Sequence, residues 1–246
     1  MVDVADAGRR GRVRWSALGI AVTALLAGVA AWALPVPAPA PGPRPVTVEE
    51  AARMSLARFT TYQAGPLRVR IEVPEAGRTL TVDGVVDYRA RHAVGGYRAG
   101  SGTGLLAWDH AGLGVAPGQP QDPLRAAASM PPGSWSPRAY TGAPLDSALQ
   151  LALQLGRDRP DNAQLLAEQG PQWLRSERID GHEYDVFSGP RPRSAADDGP
   201  SPLTYWIDGD GRLRRVTVRE AGIPEPVTVD FPGGSADPVP STPWDR

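Results

Sequence analysis

His92, His110 and His182 are the only imidazole side chains in this chain of 246 residues. None lies in a His-x-x-x-His or His-Glu-x-x-His pattern, which would place two zinc ligands on one helix face. A serine hydrolase needs a nucleophile, a base and an orienting acid, and no Gly-x-Ser-x-Gly motif is present. The absence of lysine and cysteine excludes lysine Schiff-base chemistry, disulfides and thiolate metal sites. We therefore expect a protein that is not an enzyme, with no metal and no other cofactor.

The run Asp208-Gly-Asp-Gly211 resembles part of a calcium-binding loop. An EF-hand loop carries oxygen ligands at its first, third and fifth positions and an acidic residue at its twelfth. Counted from Asp208, the fifth position is Arg212 and the twelfth is Arg219. The run therefore predicts a glycine-rich hairpin turn instead of a cation site.

Tryptophan is more informative than the titratable residues. Trp108, Trp135, Trp173 and Trp206 lie in or beside segments that read as strands. Such side chains either fill a core or line a concave apolar surface, because an indole supplies a large contact area. The sequence leaves both interpretations open.

Residues 15–34 form a continuous apolar stretch that follows four arginines within residues 9–14. Twenty residues at about 1.5 Å each match the bilayer core of about 30 Å. Because positive flanks stay in the cytoplasm, residues 1–14 are expected to form a basic cytoplasmic segment and residues 15–34 a transmembrane signal-anchor. Cleavage after Ala31-Trp-Ala33, as in a signal peptide, is the alternative. We expect a single-pass cell-membrane protein whose C-terminal domain is extracellular.

The remaining chain divides by composition. Residues 35–45 carry proline at every second position and predict an extended linker. Residues 232–246 are rich in proline and glycine and predict a disordered tail. Residues 46–231 have the length of one folded domain. The net charge of −1 gives no reason to expect nucleic acid as a partner.

Within this domain, Thr47 and Glu50 form a capping-box pattern that predicts a helix over residues 48–59. Residues at helical spacing predict two more helices, over 145–155 and 163–169. Alternating apolar and polar residues predict strands on both sides of these two helices. The predicted strands are residues 67–73, 80–88, 93–98, 104–109, 113–116, 173–179, 183–188, 203–207, 213–220 and 227–231. This order predicts an α+β fold with a largely antiparallel, curved sheet of about nine or ten strands covered by about three helices and preceded by one transmembrane helix.

The run from Leu203 to Val216 has an aromatic strand that ends in an acidic turn, followed by a strand that opens with basic residues. It resembles the late hairpin of the LolA-like families, which include the LppX and LprG lipoproteins and the RseB-like sensors. The order of elements is also similar. The resemblance implies an incomplete β-barrel closed by helices around a lipid-binding cavity. This chain departs from the lipoproteins in lacking the cysteine that carries their lipid.

The resemblance also implies which side chains line the cavity. Apolar residues of the early and late strands would face inward, and a helix would close the mouth. The expected lining residues are Val69, Ile71, Val82, Val86, Trp108, Leu145, Leu149, Trp206, Val216, Val218 and Val229. The implied function is binding of a lipid or other hydrophobic small molecule by burial of apolar area. The alternative is that the same residues fill a solid core.

Two further functions stay open. The domain could act as a sensor or scaffold in envelope signalling. This role would need an envelope protein partner, because residues 1–14 are too few to carry an output domain. An enzyme of envelope metabolism that uses His110 or His182 is the third and least favoured hypothesis.

Overall fold

The computed structural model describes residues 42–75, 77–118, 121–191, 200–222 and 224–241. The described residues belong to one compact unit. The predicted cytoplasmic segment, the predicted signal-anchor and most of the predicted linker lie outside the described residues. Across the described ranges, no helix is both long enough and apolar enough to span a bilayer. The membrane localisation therefore stays a prediction.

Four α-helices occur in the described ranges, one more than expected. They are α1 (Val48–Gln63), α2 (Pro123–Ser129), α3 (Pro144–Gln154) and α4 (Ala163–Glu168). Helix α1 begins with the predicted capping box: the Glu50 amide donates to the Thr47 hydroxyl, and the Thr47 amide donates to the Glu50 carboxylate. Helix α2 was not predicted, because it lies in a segment whose prolines and glycines indicate a loop.

Twelve strands in the described part of the chain form one antiparallel sheet. They are β1 (Arg44–Pro45), β2 (Leu67–Glu75), β3 (Arg78–Asp87), β4 (His92–Ala99), β5 (Gly102–Asp109), β6 (Leu113–Pro117), β7 (Ser136–Arg138), β8 (Gln172–Ile179), β9 (His182–Ser188), β10 (Leu203–Ile207), β11 (Leu213–Val218) and β12 (Val227–Asp230). The spatial order is β1-β8-β9-β10-β11-β12-β2-β3-β4-β5-β6-β7. The sheet is not closed, because β1 and β7 are its two edges. These two short strands are the ones that the sequence did not predict.

The pairing of β12 with β2 joins the late strands to the early strands. Val229 lies opposite Ile71 in this pair, and both side chains are fully buried. They belong to one hydrophobic cluster that runs under α1 and α3 and includes Leu149 and Phe187. The main core therefore lies between the sheet and its helices.

The opposite face of the sheet is also covered over β3 to β6. Val85, Val94, Leu105, Ala107, Ala116, Trp135 and Val239 form a second cluster, against which α2 packs. The predicted disordered tail is partly wrong here. Val239 is buried, and the Ala236 amide donates to the Pro66 carbonyl at 3.1 Å. Apolar residues at alternate positions on both faces of these strands require this second cover.

The predicted linker is ordered at its end. Arg44 pairs with Trp173 in the β1–β8 ladder, and its guanidinium lies 4.7 Å from the centre of the Trp173 ring. The same guanidinium donates two hydrogen bonds of 2.7 Å to Glu50. Every strand and helix that the structure describes, and both clusters, lie within residues 42–246, so a fragment of these residues contains both clusters.

Candidate functional site

A groove of about 600 Å³ opens between α1, α4 and the β10–β11 hairpin. Helix α1 presents Met54, Ala57 and Arg58 to it, and α4 presents Leu165 and Leu166. On α1, Met54 shares one face with Ala57 and Arg58, which follow it by three and four positions. The sheet and the connecting segments complete the lining with Arg157, Arg159, Pro160, Asp161, Asn162, Gln169, Pro190, Tyr205, Ile207 and Leu213.

Helix α4 covers the groove without filling it. None of its residues is buried, and Leu165 is 48% exposed. The helix is held at its two ends. The Leu165 amide donates to the capping Asn162 side chain at 3.0 Å, and the Arg191 amide donates to the Gln169 carbonyl at 3.1 Å. Helix α4 therefore forms one wall of the groove while it leaves apolar surface exposed to water.

Charged side chains border one end of the groove. Arg157 pairs with Asp161 at 2.7 Å, and Arg58 lies 3.7 Å from the same carboxylate oxygen. Two backbone hydrogen bonds of 2.9 Å tie this segment to α1, from the Arg157 amide to the Arg58 carbonyl and from the Asp161 amide to the Ser55 carbonyl. Arg159 is exposed and makes no ion pair with any residue in the described ranges.

Tyr205 supplies a polar group to the sheet side of the groove, where the other lining residues are Ile207 and Leu213. Its hydroxyl makes no hydrogen bond to the residues that the structure describes. Burial raises the pKa of Tyr205 to about 12; the Arg58 charge lowers this pKa and the Asp161 charge raises it. The hydroxyl is therefore neutral at physiological pH and can donate one hydrogen bond into the groove.

A second depression, of about 250 Å³, adjoins this end of the groove and shares Arg58 and Arg157 with it. We call it the basic depression. It is bordered by Arg58, Tyr62, Tyr88, Arg89, Arg91, His110, Leu153, Gln154, Gly156, Arg157 and Asp158. Only glycine fits at position 156, because a Cβ there would lie 2.2 Å from the Tyr88 ring. That ring is fixed by burial and by a hydrogen bond from its hydroxyl to the Ala152 carbonyl.

The residues predicted to line a cavity, from the sheet and from α3, are mostly brought together, but in a filled core. Val69, Ile71, Val82, Val86, Trp108, Leu149, Val216 and Val229 are buried in the main cluster, and Leu145 and Val218 pack against it. All of the buried ones except Val69 have no accessible surface, so no water-sized space lies beside them. None of the eleven predicted residues lines the groove. Their role as ligand contacts stays a prediction.

Trp206 is the one predicted lining residue that does not join or pack against the main cluster, because it lies on the other face of the sheet. Its indole nitrogen donates to Glu177 at 3.1 Å, and the guanidinium groups of Arg175 and Arg215 each lie 5.7 Å from the centre of its ring. Strand alternation instead turns Tyr205 toward the helices, where it lines the groove. The sequence therefore predicted the strand correctly and the inward-facing aromatic residue incorrectly.

Sequence reasoning also missed the helical side of the groove. Two signals could have found it. Leu165 and Leu166 are apolar neighbours on a helix too short to build a core of its own, and Arg157 and Arg159 lie just before that helix. Neither signal shows that the two groups meet at one groove.

The fold and the groove define an α+β protein whose unclosed antiparallel sheet carries helices on both faces, with a groove on one face that has a basic end. No family model and no curated protein matches the chain. Similar solved structures include an uncharacterized conserved protein from Thermus thermophilus, at 9% identity and a TM-score of 0.38, which covers 74% of this chain and 84% of that chain. A DUF1329 family protein from Desulfovibrio piger has 8% identity and a TM-score of 0.28, with 77% and 95% covered. These similarities concern the fold only and assign no function. Membership of a LolA-like family stays a prediction.

Proposed function

We propose that this chain binds a lipid or another apolar small molecule, without catalysis, in the groove between α1 and α4. The single observation that supports this most is the groove itself. Its volume of about 600 Å³ is that of a small-molecule site. Just over half of its lining residues are apolar, eight of fifteen, and one wall keeps a leucine half exposed.

The physical reason for binding is the apolar surface that water still contacts in the groove. Removing such surface from water contributes roughly 25 cal/mol per Å². The Leu165 side chain supplies part of this surface, and the partly buried Leu166 and Tyr205 supply more. An apolar guest would complete the packing that α4 leaves unfinished. If residues 15–34 anchor the domain, the membrane is the source of such a guest.

The test uses the fragment of residues 42–246 and the fluorescence of cis-parinaric acid, a fatty acid that emits in apolar sites. Replacing Leu165 with glutamine is expected to weaken binding about tenfold. A buried leucine contributes roughly 1.5–3 kcal/mol, and every 1.4 kcal/mol is about a factor of ten. The free energy of unfolding should change little, because Leu165 is 48% exposed.

Leu56→Gln is the matched control for this experiment. Leu56 lies on α1, is 36% exposed and does not line the groove. Its replacement should leave the affinity unchanged. Equal affinity of the Leu165→Gln and Leu56→Gln variants for cis-parinaric acid would show that the groove is not the binding site.

A further inference from the structure

Positive charge is concentrated where the groove meets the basic depression. The whole chain has a net charge of −1. Around these two adjoining spaces, however, five arginines accompany only two aspartates, Asp158 and Asp161. The arginines are Arg58, Arg89, Arg91, Arg157 and Arg159. The local excess of three positive charges is complementary to a multiply charged anion.

The two spaces are continuous through Arg58 and Arg157, which border both. One molecule can therefore place a polar head beside these arginines and an apolar chain in the groove. Both residues are held in position. The Arg58 Nε donates to the Gln154 carbonyl at 2.9 Å, and the Arg157 amide donates to the Arg58 carbonyl at 2.9 Å. Positions fixed in the free protein reduce the entropy lost on binding.

The turn between β3 and β4 brings two more arginines to the rim. The amides of Arg89 and Ala90 each donate to the Asp87 carboxylate at 3.0 Å. Arg91 adopts a φ of 61°, a left-handed conformation that suits glycine or asparagine better than arginine. Strained residues cluster at binding sites. The Arg91 guanidinium forms no ion pair with the described part of the chain, so it is free to meet a ligand.

From this geometry we infer that the basic depression holds the phosphate group of an amphiphile whose single apolar chain lies in the groove. This inference rests on the proposed function. Guanidinium groups bind phosphate oxygens through paired hydrogen bonds. A phosphate monoester carries a charge of about −1.5 to −2 at pH 7, which matches the local excess better than the single charge of a carboxylate.

The experiment is competition against cis-parinaric acid bound to the 42–246 fragment, with each competitor below the concentration at which it forms micelles or separates from solution. Dodecyl phosphate, dodecanoate and dodecanol share one apolar chain and differ in their heads. We expect dodecyl phosphate to displace the probe at a concentration at least about tenfold lower than dodecanol, with dodecanoate between them. The Arg91→Asn variant suits the left-handed backbone and removes the charge. It should reduce the advantage of the phosphate several-fold and leave dodecanol unchanged.

Arg125→Gln is the control, because Arg125 is an exposed arginine on α2 that borders neither space. It should behave as the wild type with every competitor. Equal displacement by dodecyl phosphate and dodecanol, or by dodecyl phosphate and dodecanoate, would overturn the phosphate site. So would an unchanged phosphate advantage in Arg91→Asn. In these cases the proposed function stands if Leu165→Gln still lowers the affinity for cis-parinaric acid. If Leu165→Gln leaves that affinity unchanged, the phosphate site and the proposed function are both contradicted.

Discussion

Replacing Asp146 with alanine is expected to lower the free energy of unfolding of the 42–246 fragment by about 3 kcal/mol. Asp146 has no accessible surface and accepts hydrogen bonds of 2.8 and 2.7 Å from the Arg138 guanidinium. It also accepts bonds of 2.7 and 2.8 Å from the amide and hydroxyl of Thr141. Removing one member of such a pair leaves its partners unsatisfied, which costs about 3–5 kcal/mol. The lower value applies because Arg138 is 40% exposed.

The measurement is urea unfolding followed by tryptophan fluorescence. Asp210→Ala serves as the control, since Asp210 and its partner Arg212 are 72% and 70% exposed and such a pair contributes about 0–1 kcal/mol. A loss in Asp146→Ala no larger than in the control would show that the ion pair does not fasten β7 to α3.

The same pair predicts how stability depends on pH. The Arg138 guanidinium, with the Thr141 hydrogen bonds, lowers the pKa of Asp146 to about 2 against the opposing effect of burial. Since this pKa is lower in the folded state, the contribution is complete above the unfolded value of about 4 and is lost as pH falls toward 2. The difference in unfolding free energy between wild type and Asp146→Asn should be constant above about pH 4.5 and shrink from pH 4 to pH 2. A difference that stays constant over this range would contradict the lowered pKa.

Replacing Trp108 with alanine is expected to lower the free energy of unfolding by about 3–5 kcal/mol, the usual effect of truncating a large buried aromatic residue. Trp108 has no accessible surface and lies between Ala93 and Leu113 in the sheet. Its side chain is surrounded by the main hydrophobic cluster. If Trp108 instead lined a lipid cavity, its truncation would enlarge that cavity at a smaller cost. This variant therefore separates the filled core from the cavity that the resemblance implies.

The measurement is again urea unfolding of the 42–246 fragment. Leu165→Ala is the comparison. Replacing a buried leucine with alanine lowers the free energy of unfolding by roughly 2–5 kcal/mol, and the loss at the half-exposed Leu165 should be well below this range. Binding of cis-parinaric acid to the Trp108→Ala variant should be unchanged, since Trp108 does not border the groove. Similar losses of unfolding free energy in Trp108→Ala and Leu165→Ala would show that the core is loosely packed around Trp108.

Local features of the fold were predictable because they depend on a few neighbouring residues. The Thr47–Glu50 capping box begins α1 as expected. Asp180 and Gly181 both have positive φ, at 51° and 80°, as a two-residue hairpin turn requires. The alternation that predicted β2 places Val69 and Ile71 in the core. In each case a short run of sequence contains the whole physical reason.

The second cover of the sheet was not predictable in this way. The residues of α2 and Val239 read as loop and tail, because proline and glycine dominate their neighbourhoods. They become ordered because Val85 and Val94 present a second apolar face to which they can pack. That contact joins segments far apart in sequence, and no local pattern encodes it.

Local sequence patterns were sufficient to predict the secondary structure of most of the domain, the antiparallel class of the sheet and which side chains are apolar enough to be buried. The places where the packing is incomplete depend on how distant segments meet in the folded chain. Periodicity shows that Leu165 and Met54 each lie on an apolar face, but not how closely two such faces approach. The gap between them depends on how α4 is held against α1, through bonds such as that from the Asp161 amide to the Ser55 carbonyl. A groove is the space that several distant segments leave together, so it exists only once the chain has folded.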